Sequence, residues 1–594
     1  MIEFIINKNN NEYKIKEEDE NSIVSSIVNM FDTFNNCRKT NLEKAEKLTN
    51  KIFFEEKKQK DADWKFDINL CKTYMFYATL KSYIWKSVYA NVNSMFDVSG
   101  ENAEADNLSN KQKANLVNIL EKGNFQIEFD QIIEYSLFSG ELIAKVTWKK
   151  QVEQFRKKVP PVLLPEQEYP QELINAFNSG KTHYIEEKEI FNNPCVEAVN
   201  PINFAFDTNN KNFNAAAKIH KIFKTPDEII NNKQYRITAE LKENIYSLTS
   251  EYSNTPFSDE ELMDKEENSN TVEVLDFWGD YRFKNTVLRN YHIVIVGRKY
   301  LVYMSANERI TSPFVFATYL KDPKTKRGIS PLYATCPLAD LQEDLMQRTC
   351  NLQALVENPP VFAPRGFFDK KKNSIEPGLI IEYGDSLNPD KIKPMTFNAN
   401  VYLQDISFIS DSMADISGIY PNMIGAPESG NKTATEINKK SQGQSTRLSY
   451  LIDTINQDLV IPIVQKVAKL AADFKSGIEE IFLNSNNKKE TLEIDDNVRQ
   501  AEYRYTYSDR SATAEKSEKA DLVVSASKEF ANFLPLNANE LYTWYLEQKE
   551  VDNPERFINQ TASIPQEVQQ VLLQNPQVQE LCQQWEQAKN GQGL

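Results

Sequence analysis

Basic residues are in the minority. The chain holds 69 Lys and Arg against 85 Asp and Glu, a net charge of −16. That balance excludes a protein whose main task is to grip nucleic-acid phosphates, which takes a net basic surface. It leaves room for DNA that passes close by without sticking. Histidine is scarce: His183, His220 and His292 stand far apart, so a histidine-rich metal centre is not expected. The six cysteines, Cys37, Cys71, Cys195, Cys336, Cys350 and Cys582, form no CxxC and suit a structural role in a reducing compartment. No stretch approaches the roughly 18–20 apolar residues of a membrane span, and no membrane partner is expected. The opening MIEFIINKNNNEYKIKEED has no basic region followed by an apolar run, so no secretory signal is expected. GxSxG, HExxH, EF-hand and zinc-ribbon patterns are missing, no Cys lies beside a His, and no repeat recurs. No catalytic residue, metal or cofactor is therefore nominated.

What is present is a large globular chain. Its 594 residues are 40% hydrophobic and 11% aromatic, too apolar for a disordered polymer and long enough for about three to five domains. Apolar positions Ile23, Val24, Ile27, Val28 and Phe31 predict an amphipathic helix in the polar first 60 residues. Tyr74, Tyr77, Leu80, Ile84 and Trp85 predict a packed helix within 66–98, and 111–136 reads as another, stopped by Gly140 before the strand-like ELIAKVTW. Segment 195–207 alternates and turns at Asn200-Pro201, as a short strand pair would. Thr225-Pro226-Asp227-Glu228 is a helix start. Residues 271–278 and 286–303 are rich in β-branched and aromatic side chains, with turns expected at Gly279-Asp280 and Gly297-Arg298, and predict a compact antiparallel β unit. Ser330-Pro331 opens a helix over 331–357, about 40 Å long. A helix over 399–417 ends at Gly418. A Gly-rich loop follows, then a helical pattern over 433–474, roughly 60 Å, with Gly443 and Pro462 the residues expected at kinks. Strands are expected over 479–507, helices over 514–533 and 537–548, and the stretch 561–594 is Gln-rich.

Two features invite a chemical reading. Gly425-Ala-Pro-Glu-Ser-Gly430-Asn431-Lys432-Thr433 approaches a phosphate-binding loop, but Asn431 separates the last Gly from the Lys and moves the ammonium off the cradle. The preceding element is helical rather than a strand, so a flexible loop opening a helix is the plainer reading, though Lys432 at a helix start could still meet an anion. Asp340, Glu343 and Asp344 share one face of the 331–357 helix. With no pocket or positioned partner they are not an acid/base pair; a solvated acidic face is the plain reading, and in a ring of such helices that face could line a negative channel. Basic stretches such as KDPKTKRG (321–328) read as solvated loops.

The order of these elements resembles the portal proteins of tailed bacteriophages, with length and order closer to the short-tailed type. The resemblance rests on Pro201 with Phe206-Asp207, on TVEVLDFWGDY at 271–281, and on Pro313-Phe314 followed by Gly328-Ile329-Ser330-Pro331-Leu332. It rests also on Asn351 through Pro359-Pro360 into VFAPRG, on Gly418-Ile419-Tyr420-Pro421 with Gly425, Asn431, Thr435 and Glu436, and on YRYTYSDRSATAEKSEKADLV at 503–523.

That resemblance implies an α+β portal fold with long stem helices, a β-rich clip, a mixed wing and a helical crown. Its divisions are an N-terminal arm (1–65), a first wing part (66–224), a stem helix 1 region (225–264), a clip (265–315), a stem helix 2 region (316–358), a second wing part (359–512), a crown (513–560) and a Gln-rich tail or barrel helix (561–594). The second wing part would carry a tunnel loop (418–432) and a long kinked helix (433–474). The implied role is a homo-oligomeric ring, a dodecamer in the usual form, at one capsid vertex of the virion, assembled in the host cytoplasm. Expected partners are the terminase large subunit, a head–tail adaptor, the major capsid or scaffold protein, and double-stranded DNA in the channel. Tyr420, Asn422, Ser429, Asn431 and Lys432 are the expected DNA-facing positions, Gly418, Gly425 and Gly430 the loop hinges, and Asp340, Glu343 and Asp344 the channel-lining carboxylates, with Leu338, Leu341, Leu345, Leu352, Leu355 and Val356 in apolar seams. The alternatives are a nucleotide-binding motor or enzyme built on 425–433, and a virion structural protein that forms no ring.

Overall fold

The computed structural model describes residues 17–53, 64–89, 92–160, 170–210, 212–248, 271–306, 312–364, 377–383, 393–398, 402–419, 448–485 and 488–507, with Val523 and Tyr545. The chain divides into two units, Met1–Ser508 and Asp509–Leu594. The expected crown helices and the Gln-rich tail lie outside the described residues.

The polar N-terminal segment is one helix, α1 (Glu17–Phe53), whose 37 residues span about 55 Å. Its apolar stripe serves two cores: Ile23, Val24, Ile27 and Phe31 pack into one, Leu48 and Ile52 into another. Helix α2 (Lys72–Val88) follows, then strand β1 (Phe96–Gly100). The helix expected over 111–136 is in fact two, α3 (Ala103–Lys122) and α4 (Phe125–Ser139), because Asn124 takes a left-handed conformation (φ 53°) between them. Gly140 ends α4 as expected. It sits at φ 79°, and its N–H donates to the Ser136 carbonyl at 2.7 Å. Strand β2 (Glu141–Lys158) carries the predicted ELIAKVTW run and pairs antiparallel with β3 (His183–Ala198), the two separated by α5 (Gln171–Asn178). The inner half of β2 is buried and the outer half exposed.

Segment 195–207 is not a strand pair. After β3 a one-turn 3-10 helix (Pro201–Asn203) starts on the Asn200 side chain, which accepts from the Ile202 N–H at 3.0 Å, and β4 (Phe204–Phe206) joins a different sheet. Strand β5 (Lys218–Lys224) leads to the predicted helix start at Thr225. There the Thr225 hydroxyl accepts from the Glu228 N–H and the Glu228 carboxylate accepts from the Thr225 N–H, a reciprocal cap. The stem helix 1 region holds no single long helix among its described residues. It holds two short ones, α6 (Pro226–Asn231) and α7 (Ala239–Asn244), and a 3-10 turn, Ile245–Leu248. Their apolar residues Ile229, Leu241 and Ile245 cover a sheet face rather than a neighbouring helix.

That sheet contains the predicted β unit. Strands β6 (Val272–Phe283), β7 (Thr286–Val296) and β8 (Tyr300–Ala306) form a meander, extended by β5 and β4 to the antiparallel order β4-β5-β6-β7-β8. The hairpin at Gly297-Arg298 is where it was expected. Gly279-Asp280 is instead a bulge inside β6, and the turn lies at Lys284-Asn285, with Lys284 left-handed (φ 49°). Alternation explains the two-sided burial. Leu275, Phe277, Ile293 and Ile295 face α1, while Val272, Val274, Val294 and Val296 face α6 and α7.

Strand β9 (Phe314–Thr318) completes the three-stranded sheet β3-β2-β9, and β10 (Leu320–Lys321) with β11 (Gly328–Ile329) folds the 321–328 stretch into a hairpin. Helix α8 (Cys336–Glu357) begins later than Ser330. The Ser330 hydroxyl accepts from the Leu332 N–H at 3.1 Å and donates to the Leu137 carbonyl, so it fixes the approach, and a 3-10 turn (Tyr333–Thr335) intervenes. A small sheet of β12 (Val361–Pro364), β13 (Ile380–Tyr383) and β14 (Lys393–Pro394) leads to α9 (Leu403–Ser417), closed by left-handed Gly418 at φ 72°. The long C-terminal helix, described from residue 448, passes through a π-helical stretch (Ile455–Val460) into α10 (Ile461–Phe474). The predicted hairpin follows as β15 (Glu479–Ser485) and β16 (Lys488–Ile494), then α11 (Asp496–Gln500), and β17 (Tyr503–Tyr507), which pairs with β1 from the other end of the unit. The fold is α+β, and its largest core joins α2, α3, α4, α8 and α10 to the β2–β9 sheet.

Candidate channel-wall helix and its buried charges

Helix α8 is the longest described helix in the region expected to form a stem. Its three nominated carboxylates do not share one wet face. Glu343 is 2% exposed, and its Oε2 accepts from Lys51 Nζ of α1 at 2.6 Å while Oε1 accepts from the Leu70 N–H at 3.3 Å. Asp340, about a third exposed, takes the same lysine at 2.7 Å and Lys47 at 3.5 Å. Asp344 is half-exposed and pairs with Arg348, one turn on, at 2.8 Å. Only Asp344 and the edge of Asp340 meet solvent, so the expected channel-lining role of Glu343 is corrected. Its carboxylate is spent inside the subunit, on the helix that the sequence placed in an unassigned arm. Burial works against the charge on Asp340, but the Lys51 and Lys47 contacts more than offset it and hold the carboxyl below its ordinary range. Of the apolar seam, Leu355 is buried and Leu338 and Leu345 are partly so, while Leu341 and Val356 remain 46% and 44% exposed.

Arg327 is the second correction. The 321–328 stretch reads as a solvated loop, yet Arg327 is 2% exposed. Its guanidinium grips Glu141 through two bonds of 2.7 Å and donates to the Phe204 carbonyl at 3.1 Å. Beside it Arg38, midway along α1, donates to the Pro201, Ile202 and Phe204 carbonyls. Burial first, and Arg327 second, lower the Arg38 pKa to about 9. Two guanidiniums thus lie close together, Arg327 on the Glu141 carboxylate and Arg38 on backbone carbonyls. A short, mostly basic loop has no apolar periodicity to betray burial, so nothing in the sequence announces this cluster.

A third cluster lies where the two large sheets meet. Asp276 of β6 accepts from Lys145 Nζ of β2 at 2.7 Å and from the Trp278 indole at 2.9 Å, and lies 2.6 Å from His292 Nε2. Burial opposes its charge, but Lys145 and His292 hold its carboxyl well below the usual range. His220 is enclosed by Phe204 and Phe314; its Nδ1 is buried without a hydrogen bond, and burial lowers its pKa to about 3.

Of the expected kinks, Gly443 lies outside the described residues, and Pro462 stands two residues past the end of the π-helical stretch. A proline nitrogen cannot donate to the carbonyl four residues back, and a change of helical register beside it accommodates that loss. Gly418 closes α9 at the mouth of the Gly-rich loop. Tyr420, Asn422, Gly425, Ser429, Gly430, Asn431 and Lys432, with the whole near-phosphate-loop 425–433, lie outside the described residues. Among the described residues no group of three or more His, Cys, Asp and Glu side chains could hold a metal, and no helix is long and apolar enough to cross a membrane.

A family described as phage SU10 portal protein matches residues 91–592. The chain belongs to that family. No curated protein matches it. The portal match covers both large sheets, α8, α9 and the 420–447 stretch. It makes the chain a bacteriophage portal protein, a structural component of the virion's head–tail connector and not a member of an enzyme family. It leaves α1 outside, although α1 supplies Lys51 to the Glu343 cluster and Arg38 to the Arg327 cluster.

Proposed function

We propose that this portal protein closes a ring at one capsid vertex, a dodecamer, through which a separate terminase drives double-stranded DNA during packaging and through which the genome leaves. The match of residues 91–592 to a portal family carries the reading. The net charge of −16 supports it, because each cationic contact on phosphate adds counterion-release affinity that a conduit must avoid. In this reading 265–315 is the clip that meets the terminase large subunit and later the head–tail adaptor. The 316–358 region contributes to the channel wall, with Asp340 and Asp344 as its wet carboxylates. Loop 418–432 reaches toward DNA through Tyr420, Asn422, Ser429, Asn431 and Lys432, with Gly418, Gly425 and Gly430 as hinges. The major capsid or scaffold protein is a further partner of the ring, 66–224 and 359–512 form the wing, and 513–560 forms the crown.

The test pairs imaging with packaging. Negative-stain images of the purified chain should show annular particles with a central hole. Nuclease-protection packaging assays with Lys432→Glu should change DNA uptake or retention while those annuli persist. Annuli that vanish in the variant would make Lys432 a structural residue and overturn its assignment to the channel.

A further inference from the structure

A pocket opens where β2 and β3 meet the end of α10 and the short helix α11. It has about 450 Å³ of free space, within the range of sites that hold small ligands. The charged side chains that line it are Glu189, Lys475, Glu479 and Arg499. Each is already engaged. Glu189 holds Lys150 at 2.7 Å, and Glu479 holds Lys475 at 2.7 Å. The Arg499 guanidinium lies 3.0 Å from Asp496 and 3.5 Å from Glu479. Two cations and two anions line the pocket, so it favours no ion of either sign.

What is left over is one acceptor and one donor. Asn193 lines the pocket at 8% exposure, and its Oδ1 is buried with no hydrogen-bond partner among the described residues. Arg499 is 4% exposed. Its two terminal nitrogens donate to the Gly477 and Ile494 carbonyls at 2.7 and 3.2 Å, while its Nε is buried and bonded to nothing among the described residues. Leaving such atoms unpaired is costly, and each calls for a partner.

Water satisfies a donor and an acceptor, but it does nothing for the pocket's apolar side. Trp148 is fixed there by its indole N–H, which donates to Asn192 Oδ1 at 2.8 Å, and its ring packs on Phe474 with centroids 5.1 Å apart. Phe474 nonetheless stays 43% exposed and Ile190 49%. A bulge puts Ile190 at this rim. Gln151 pairs with Phe191 and Val152 with Glu189, so Ile190 has no counterpart across β2. The ligand that answers all of this is uncharged, accepts one hydrogen bond, donates one, and carries an apolar body. A carboxamide on a carbon chain has those properties.

We propose that this pocket binds an uncharged carboxamide of another polypeptide. Its oxygen accepts from Arg499 Nε, its N–H donates to Asn193 Oδ1, and the adjoining carbon chain lies on Trp148, Ile190 and Phe474. Asn and Gln side chains and the main-chain peptide group share that chemistry. The test uses the full-length chain and three probes: N-acetylglutamine N-methylamide, N-acetylalanine N-methylamide and N-acetylglutamate N-methylamide. Binding is read by saturation-transfer NMR titration, with dissociation constants near about 1 mM expected for ligands this small. The glutamine probe should bind saturably, and the glutamate probe about tenfold or more weakly, because its charge finds no unpaired cation. An alanine probe that matches glutamine assigns the site to main-chain peptide groups; one that fails assigns it to Asn and Gln side chains. Ser476→Trp, which fills the mouth from an exposed position, should abolish binding. Asn193→Leu, which removes the unpaired acceptor, should weaken it about fivefold. No saturable binding by either neutral probe would leave ordered water as the occupant and overturn the site. Binding that Ser476→Trp leaves unchanged, or a glutamate probe as tight as the glutamine probe, would overturn it equally.

Discussion

Arg327 and Glu141, 186 residues apart, meet through two parallel hydrogen bonds of 2.7 Å in a site nearly closed to water. The pair locks the β10–β11 hairpin onto the start of β2, next to Gly140. Replacing Arg327 with Met strands the Glu141 carboxylate, and removing one partner of such a buried pair costs about 3–5 kcal/mol. Urea unfolding should show that loss, and the double variant Arg327→Met with Glu141→Leu should recover much of it. Equal destabilisation in single and double variants would mean that the pair does not act as a unit.

The same corner depends on glycine. Gly140 sits at φ 79°, and a Cβ there would lie 2.2 Å from the Ile329 carbonyl carbon. Gly140→Ala should therefore destabilise by more than about 1 kcal/mol, both through the left-handed backbone and through the clash. A midpoint unchanged from wild type would contradict the close approach of the 140 and 329 backbone segments.

Much of the fold was legible in the sequence because it follows periodicity. The α1 stripe, the β6–β8 alternation, the Thr225 cap and the Gly418 stop are local signals read at their own positions. What failed was what depends on partners. Gly279 looked like a turn, but the pairing of β6 with β7 absorbs it as a bulge. Ser330 looked like a cap, but its hydroxyl also bonds Leu137, and α8 starts at Cys336. Glu343 looked like a wet carboxylate because nothing in its own helix announces Lys51 of α1, 292 residues away.

That contact makes a prediction of its own. Lys51→Met leaves Glu343 buried without its cation, at a cost of about 3–5 kcal/mol, and should loosen α1 from α8. Hydrogen exchange of α1 amides should rise in the single variant and fall back when Glu343→Leu is added.

Acid should weaken the folded state before the carboxylates titrate. The His220 pKa is lowered to about 3 by burial, whereas an unfolded histidine titrates near 6.5. Between those values the unfolded chain takes up a proton that the folded chain refuses. The contribution of His220 is therefore fully present above about pH 6.5 and is lost progressively as pH falls toward about 3. Asp276, held below its ordinary range, adds a second loss of the same sign below about pH 4. Urea midpoints measured from pH 7 to pH 4 should fall for wild type, and His220→Phe, which keeps the ring between Phe204 and Phe314, should flatten that decline. An undiminished slope in the variant would remove His220 from the account.

The central claim is that this portal protein works as a closed ring, and particle mass tests it most directly. Mass photometry of the purified full-length chain, whose subunit is 68.5 kDa, should show a population near about 0.8 MDa, the mass of a closed cyclic dodecamer. A chain that stays monomeric, or stops at a discrete dimer or trimer across the accessible concentration range, would contradict it.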